Sequence, residues 1–137
     1  MSNGTAGLHL LVVTPERKVL ESAAETVALP AAEGYVTILP RHAPLIATLG
    51  VGVLTFRQAG RDTSLAIAGG FFEVSDDRVT VLADEALTRE QIDVAAARRE
   101  LEEGRTALAT AAGEEQRMAR HRIERAEAKL AVAAASA

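Results

Sequence analysis

The chain has 137 residues, 48% of them apolar and 25% charged, with aromatics at only 3% and neither Trp nor Cys. That length is one modest domain, or one with an appendage, and the missing cysteines exclude a disulfide scaffold and thiolate zinc sites. A net charge of −4 argues against a general nucleic-acid binder, and no apolar run approaches the ~20 residues that span a bilayer.

The N-terminus has no charged start followed by an apolar stretch, so the chain reads as soluble and cytosolic. Short β-rich runs then recur: Leu8–Thr14, Val19–Ser22, Thr26–Leu29, Tyr35–Leu39, Leu45–Leu49, Val51–Arg57, Ser64–Ala68, Phe71–Ser75 and Val79–Ala83. Turn residues separate them at spacings of about 8–12 residues, the signature of a small β-sandwich or barrel. Runs such as Val79-Thr80-Val81 alternate, placing one face on a core and the other in solvent. Hairpins are expected at Ala59-Gly60 and Asp76-Asp77. Gly50, Gly52, Gly69 and Gly70 read as turn or close-packing glycines, because no helix follows to receive a phosphate.

Composition changes sharply near Thr88. All four prolines and all four aromatics precede residue 73, whereas the tail is built of Ala, Glu and Arg. Residues 1–88 carry 6 basic and 10 acidic side chains; residues 89–137 carry 9 of each. The fold class is therefore β + α, a small antiparallel β-sandwich over 1–87 and an antiparallel two-helix hairpin over 88–137. Thr88 followed by Gln91 fits a capping box that would open the first helix. Val94, Ala97, Leu101, Gly104, Leu108 and Ala111 form its stripe, and Ala119, Ile123, Ala126, Leu130 and Ala133 form that of the second helix, after a break at Ala112-Gly113. Large residues alternate with Ala or Gly, so the helices can approach closely. Few large contacts hold them, at about 1.5–3 kcal/mol each, while Ala, Arg and Glu favour helix even alone. The hairpin is expected to open.

Catalytic chemistry is hard to find. There is no nucleophile elbow, P-loop, H-E-x-x-H or dinucleotide fingerprint. His9 reads as a packed or edge strand residue and His121 as a solvated helix residue. His42 lies in the rigid loop Pro40-Arg41-His42-Ala43-Pro44, where bonding to its own turn is the better expectation and presentation to a partner the alternative. Asp76-Asp77 reads as a hairpin turn and Asp84-Glu85 as a connector. No catalytic residue and no metal site is assigned. The second helix concentrates Arg117, Arg120, Arg122, Arg125 and Lys129 against only Glu124 and Glu127 over that stretch. This is either a solvated face with i,i+4 pairs or a basic arm for an acidic partner, and Arg125 and Lys129 are spaced to address one anion together.

The stretch Ala32-Glu33-Gly34-Tyr35-Val36-Thr37-Ile38-Leu39-Pro40-Arg41-His42-Ala43-Pro44-Leu45 resembles the E-G-x-x-x-I-L-P-x-H-A-P-L signature of the epsilon subunit of bacterial rotary ATP synthase. Ala68-Gly69-Gly70-Phe71-Phe72-Glu73-Val74 and Val79–Ala86 agree in order, so the resemblance covers essentially the whole chain. It implies a noncatalytic rotor subunit of a proton-translocating synthase, peripheral on the cytoplasmic face of the bacterial inner membrane. The sandwich would couple the membrane c-ring to the gamma subunit. Glu33, Tyr35, Arg41 and His42 would lie at the rotor interface, with Tyr35 towards the c-ring loops and His42 towards gamma. Extended along gamma, the hairpin would enter the alpha/beta catalytic hexamer and inhibit ATP hydrolysis through its basic second helix. Two helices of about 20 residues are each about 30 Å long, which gives the arm its reach. Some members hold ATP through an I/L-D-x-x-R-A motif. Here Ile92, Asp93 and Ala97 fit, Arg125 and Lys129 take the second-helix basic positions, but Ala96 replaces the motif arginine. That departure counts against ATP as a regulatory ligand, and no other cofactor is implied. Without the resemblance, the residues leave a free-standing binding sandwich with a dimerising hairpin as the runner-up, and an enzyme third.

Overall fold

The alternating apolar pattern is realised as eight strands in a computed structural model that describes residues 7–135; the outer ends of both expected domains, 1–6 and 136–137, lie outside the described residues. The strands are β1 (Leu8–Val13), β2 (Lys18–Ala24), β3 (Thr26–Ala31), β4 (Gly34–Ile38), β5 (Leu45–Thr48), β6 (Val51–Gln58), β7 (Arg61–Ser75) and β8 (Arg78–Leu87). Hydrogen bonding runs β2-β1-β8-β7-β6-β3-β4, with β5 on the far half of β7. Every pair is antiparallel except β1–β8, which is parallel.

Strand β7 makes the sandwich out of one hydrogen-bonded sheet. Its first half pairs with β6, its second half with β5, and β8 follows it along both. Two separate runs, Ser64–Ala68 and Phe71–Ser75, were expected here; they are one strand bent at Gly69-Gly70. Both glycines have positive φ, 75° and 109°. A Cβ on Gly70 would also strike the Leu82 carbonyl and sit 2.8 Å from Ala83 Cα, so no other residue fits the bend. The two layers enclose a core of Leu10, Val12, Leu29, Ile38, Leu54 and Phe72 with their neighbours, contributed by alternate positions.

Both expected hairpin turns are present. Gln58 pairs with Arg61 around Ala59-Gly60, and Ser75 with Arg78 around Asp76-Asp77, and all four central residues have positive φ. That is the type I′ geometry, whose twist matches the flanking strands.

Helix α1 (Val94–Thr110) begins later than the capping box at Thr88 suggested. Gln91 does accept the Thr88 N–H at 3.0 Å, but the box closes only a single 3-10 turn at Arg89–Gln91. The working N-cap is Asp93, whose carboxylate accepts the Ala96 N–H at 3.0 Å. Helix α2 (Gly113–Ala134) packs antiparallel on α1 through Ala97 and Gly104 on one side and Ala119 and Ala126 on the other, as the stripes indicated. A second face of α2, with Ala128 and Val132, lies on β6 and β7 against Ala66, Val53, Leu87 and Ile92. The hairpin therefore docks on the sandwich through α2.

Candidate functional site

Two regions collect the residues singled out in the sequence: the β3–β5 segment and the α2 docking face. Glu33 is exposed in the tight turn between β3 and β4, and Gly34 follows with φ 133°. Tyr35 is 61% exposed, yet its hydroxyl accepts the Val53 N–H at 2.9 Å. The ring crosses Gly52, where a Cβ would collide with the Tyr35 hydroxyl and come within 2.9 Å of Pro30 Cβ. Gly52 is thus the close-packing glycine that keeps Tyr35 laid across the sheet.

After β4 the chain turns back through Leu39-Pro40-Arg41-His42. The His42 N–H donates to the Leu39 carbonyl at 3.2 Å, and Arg41 takes φ 67°. The imidazole donates Nδ1–H to the Ala43 carbonyl at 2.6 Å, the local turn contact expected for His42. That bond leaves Nε2 as the acceptor of the neutral ring. Leu39, 54% exposed, stands beside it.

The outward positions of the second layer carry a feature not singled out in the sequence. Ile46 is 71% exposed, Phe71 49% and Leu82 38%. Phe71 and Leu82 are direct cross-strand partners, and Leu82 in turn opposes the half-buried Val13. The period-2 alternation that buries Phe72 puts Phe71 outside, so the signal was an apolar residue on the solvent parity of three adjacent strands. Helix α2 covers the equivalent face of the other layer; among the described residues, no element covers this one.

On α2 four of the five basic residues find carboxylates, and only Arg117 finds one on its own helix. Arg125 donates from Nε and a terminal guanidine nitrogen to Glu85 on β8 at 3.1 and 2.8 Å. Lys129 reaches Glu100 on α1 at 3.2 Å, and Arg122 reaches Glu103 at 2.6 Å. Arg117 pairs with Glu114 one turn earlier, and Arg120 is exposed. Arg125 and Lys129 therefore do not converge on one anion: Arg125 shares the sheet-facing stripe with Ala128 and Val132, while Lys129 turns towards α1. The remaining nucleotide candidates are also engaged, Asp93 as the α1 cap and Ile92 in the apolar contact with the sheet. Glu85, read as a connector, is a docking residue that only a pairing 40 residues away in sequence reveals.

The sequence pattern for "ATP synthase, Delta/Epsilon chain, beta-sandwich domain" matches residues 7–89. The chain belongs to this family. The ATP synthase epsilon chain of Solibacter usitatus is 44% identical over 127 residues, spanning 92% of this chain and 95% of the relative. That of Pelotomaculum thermopropionicum is 44% identical over 106 residues, 75% and 78% of the two chains. A chain in the cryo-EM structure of Euglena gracilis mitochondrial ATP synthase, OSCP/F1/c-ring in rotational state 1, superposes with a TM-score of 0.80 at 23% identity, over 94% of this chain and 82% of that one. The fold extends through the helical hairpin in that comparison. As an epsilon-type member, the chain is a noncatalytic subunit of the ATP synthase central stalk. Among the described residues, no helix is long and apolar enough to cross a membrane.

Proposed function

We propose that the chain couples rotation of the c-ring to the gamma shaft through its sandwich and restrains ATP hydrolysis through its hairpin. The observation that carries the coupling role is the exposed cross-strand pair Phe71 and Leu82 with Ile46 diagonal to it on the same sheet face, rimmed by Glu73 and Thr48, because exposed apolar surface with a polar rim marks a protein contact. Gamma is assigned to this face together with Arg41 and His42; Glu33 and Tyr35, at the start of β4, are assigned to the c-ring loops. The chain would then be held peripherally at the cytoplasmic face of the inner membrane by its partners. On this reading the sandwich, over 1–87, is the coupling unit and residues from 88 onward are the regulatory arm.

The arm is supported by how it is attached. Beyond the short apolar contact of Ala128 and Val132, α2 meets the sandwich through a charge pair, and its cations are held by carboxylates that an acidic partner surface can replace. Extended, Arg117, Arg120, Arg122, Arg125 and Lys129 would meet acidic loops of the alpha/beta hexamer. Nucleotide has no part in this reading, since Arg125 and Lys129 point to different elements rather than to one anion and Ala96 offers no guanidinium.

Two substitutions at solvent positions, Ile46→Glu and Phe71→Glu, test the coupling role. The isolated chain keeps its melting temperature, and co-purification with gamma is lost; retained co-purification would reject the assignment. Truncation after Thr88 tests the arm: assembly and coupling persist, and ATP hydrolysis by the complex rises. Unchanged hydrolysis removes the inhibitory role.

A further inference from the structure

Two turns distant in sequence are tied to each other at one corner of the sandwich. The first, Leu39-Pro40-Arg41-His42, has the pattern of a type II turn: Pro at the second position, positive φ at the third, and a bond from the fourth N–H to the first carbonyl. The third position calls for Gly, and Arg41 occupies it with φ 67°. A side chain with a Cβ is held there only when the surroundings over-determine it. The second turn, Asp76-Asp77, places two aspartates at positive φ between β7 and β8. The Arg41 N–H donates to Asp77 Oδ1 at 2.6 Å, across 36 residues of sequence. The Asp77 carbonyl meanwhile accepts the His9 N–H at 2.8 Å, so its backbone is anchored to the start of β1.

We propose that Asp77 is a positioning residue for the loop Leu39–Pro44, fixing the angle at which Arg41 and His42 are displayed by accepting the Arg41 N–H. This rests on the reading above that the loop faces the rotor partners. The bond is charge-assisted and its acceptor sits on a two-residue hairpin turn, one of the stiffest loops available. A displaying loop needs that stiffness. Torque passed through a loop free to swing is absorbed by its backbone dihedrals, whereas a tethered one moves with the sheet.

The test separates the tether from its use. In Asp77→Gly the turn becomes Asp-Gly, a preferred type I′ pair, so the hairpin is retained while the carboxylate is removed. Asp77→Asn keeps an acceptor oxygen and tolerates positive φ. In the isolated full chain, amide exchange at Arg41 rises about tenfold in Asp77→Gly, the factor for one lost hydrogen bond, and rises less in Asp77→Asn, whose neutral oxygen still accepts. Equal exchange in all three chains overturns the tether. In the assembled complex, protons pumped per ATP hydrolysed fall in Asp77→Gly and recover in Asp77→Asn. Faster Arg41 exchange with unchanged pumping leaves the tether standing and overturns the assignment of this loop to the rotor interface.

Discussion

Arg125 and Glu85 join the helical arm to the sandwich through two hydrogen bonds to one carboxylate oxygen, at 3.1 and 2.8 Å. Both side chains are about two-thirds buried, at 29% and 33% exposure, so solvent screens the pair only in part. Replacing Arg125 by Ala leaves Glu85 without its partner beneath α2. We expect docking of the hairpin to weaken by about 1–2 kcal/mol, with amide exchange along α2 rising about tenfold while β1 and β8 are unchanged. Raising salt from about 0.1 M to about 1 M should loosen the native arm in the same direction. A variant whose α2 amides remain as protected as the native ones would show that the apolar contact alone holds the arm.

Gly104 sets how closely the two helices approach. A Cβ there would lie 2.8 Å from Ile123 Cγ1, tighter than carbon atoms tolerate without a shift. Gly104→Leu adds a strong helix former, worth up to about 1 kcal/mol within α1 alone. It also overpacks the α1–α2 seam at a cost of about 1–3 kcal/mol. The seam term wins, so the melting temperature falls and α1 detaches before the sandwich unfolds. Stabilisation on a circular dichroism melt would mean that the helices part easily enough to take the side chain.

These two contacts mark what the sequence can and cannot disclose. The Gly104 stripe was legible because helix–helix packing repeats at local spacings of three and four. The turns at Ala59-Gly60 and Asp76-Asp77 were legible because their chemistry lies within two residues. Gly69-Gly70 reads as a turn or close-packing pair between two strand runs: turn glycines and bend glycines have the same composition and differ only in whether pairing continues past them. Sequence alone leaves two starts for α1, because Thr88 and Asp93 are both competent caps and the chain turns once between them. The partners of Arg125, of Lys129 and of the Arg41 amide lie 40, 29 and 36 residues away, a separation on which local patterns carry no information. Phe71 reads as a strand residue, but its exposure depends on which layer α2 covers.

Asp93 distinguishes a structural from a ligand-binding role at the start of α1. Its carboxylate accepts the Ala96 N–H, so Asp93→Ala should cost about 1 kcal/mol of α1 stability. Asp93→Asn or Asp93→Ser, which also cap, should restore most of it. Calorimetry with MgATP is expected to give no saturable heat with the native chain. Clear binding that Asp93→Asn abolished while leaving α1 intact would reverse the assignment and return nucleotide to this site.

Glu21 supplies the pH dependence. Its carboxyl is held below the ordinary value of 4.5, first by the hydrogen bond from Lys18 Nζ at 3.0 Å and next by that from His9 Nε2 at 2.6 Å. The folded value is depressed, so the charged form contributes stability above the unfolded value. That contribution is lost as pH falls below 4.5 and through the lowered folded value. The group is exposed on the β2 edge, so the effect on global stability is small and is best read at the site itself. An NMR titration of Glu21 should show its midpoint below 4.5 in the native chain and moving upward in Lys18→Ala. His9→Ala should move it in the same direction but less far. If Lys18→Ala leaves the midpoint where it was, the lysine is not what holds the carboxylate charged, and the β2 edge pairs through His9 alone.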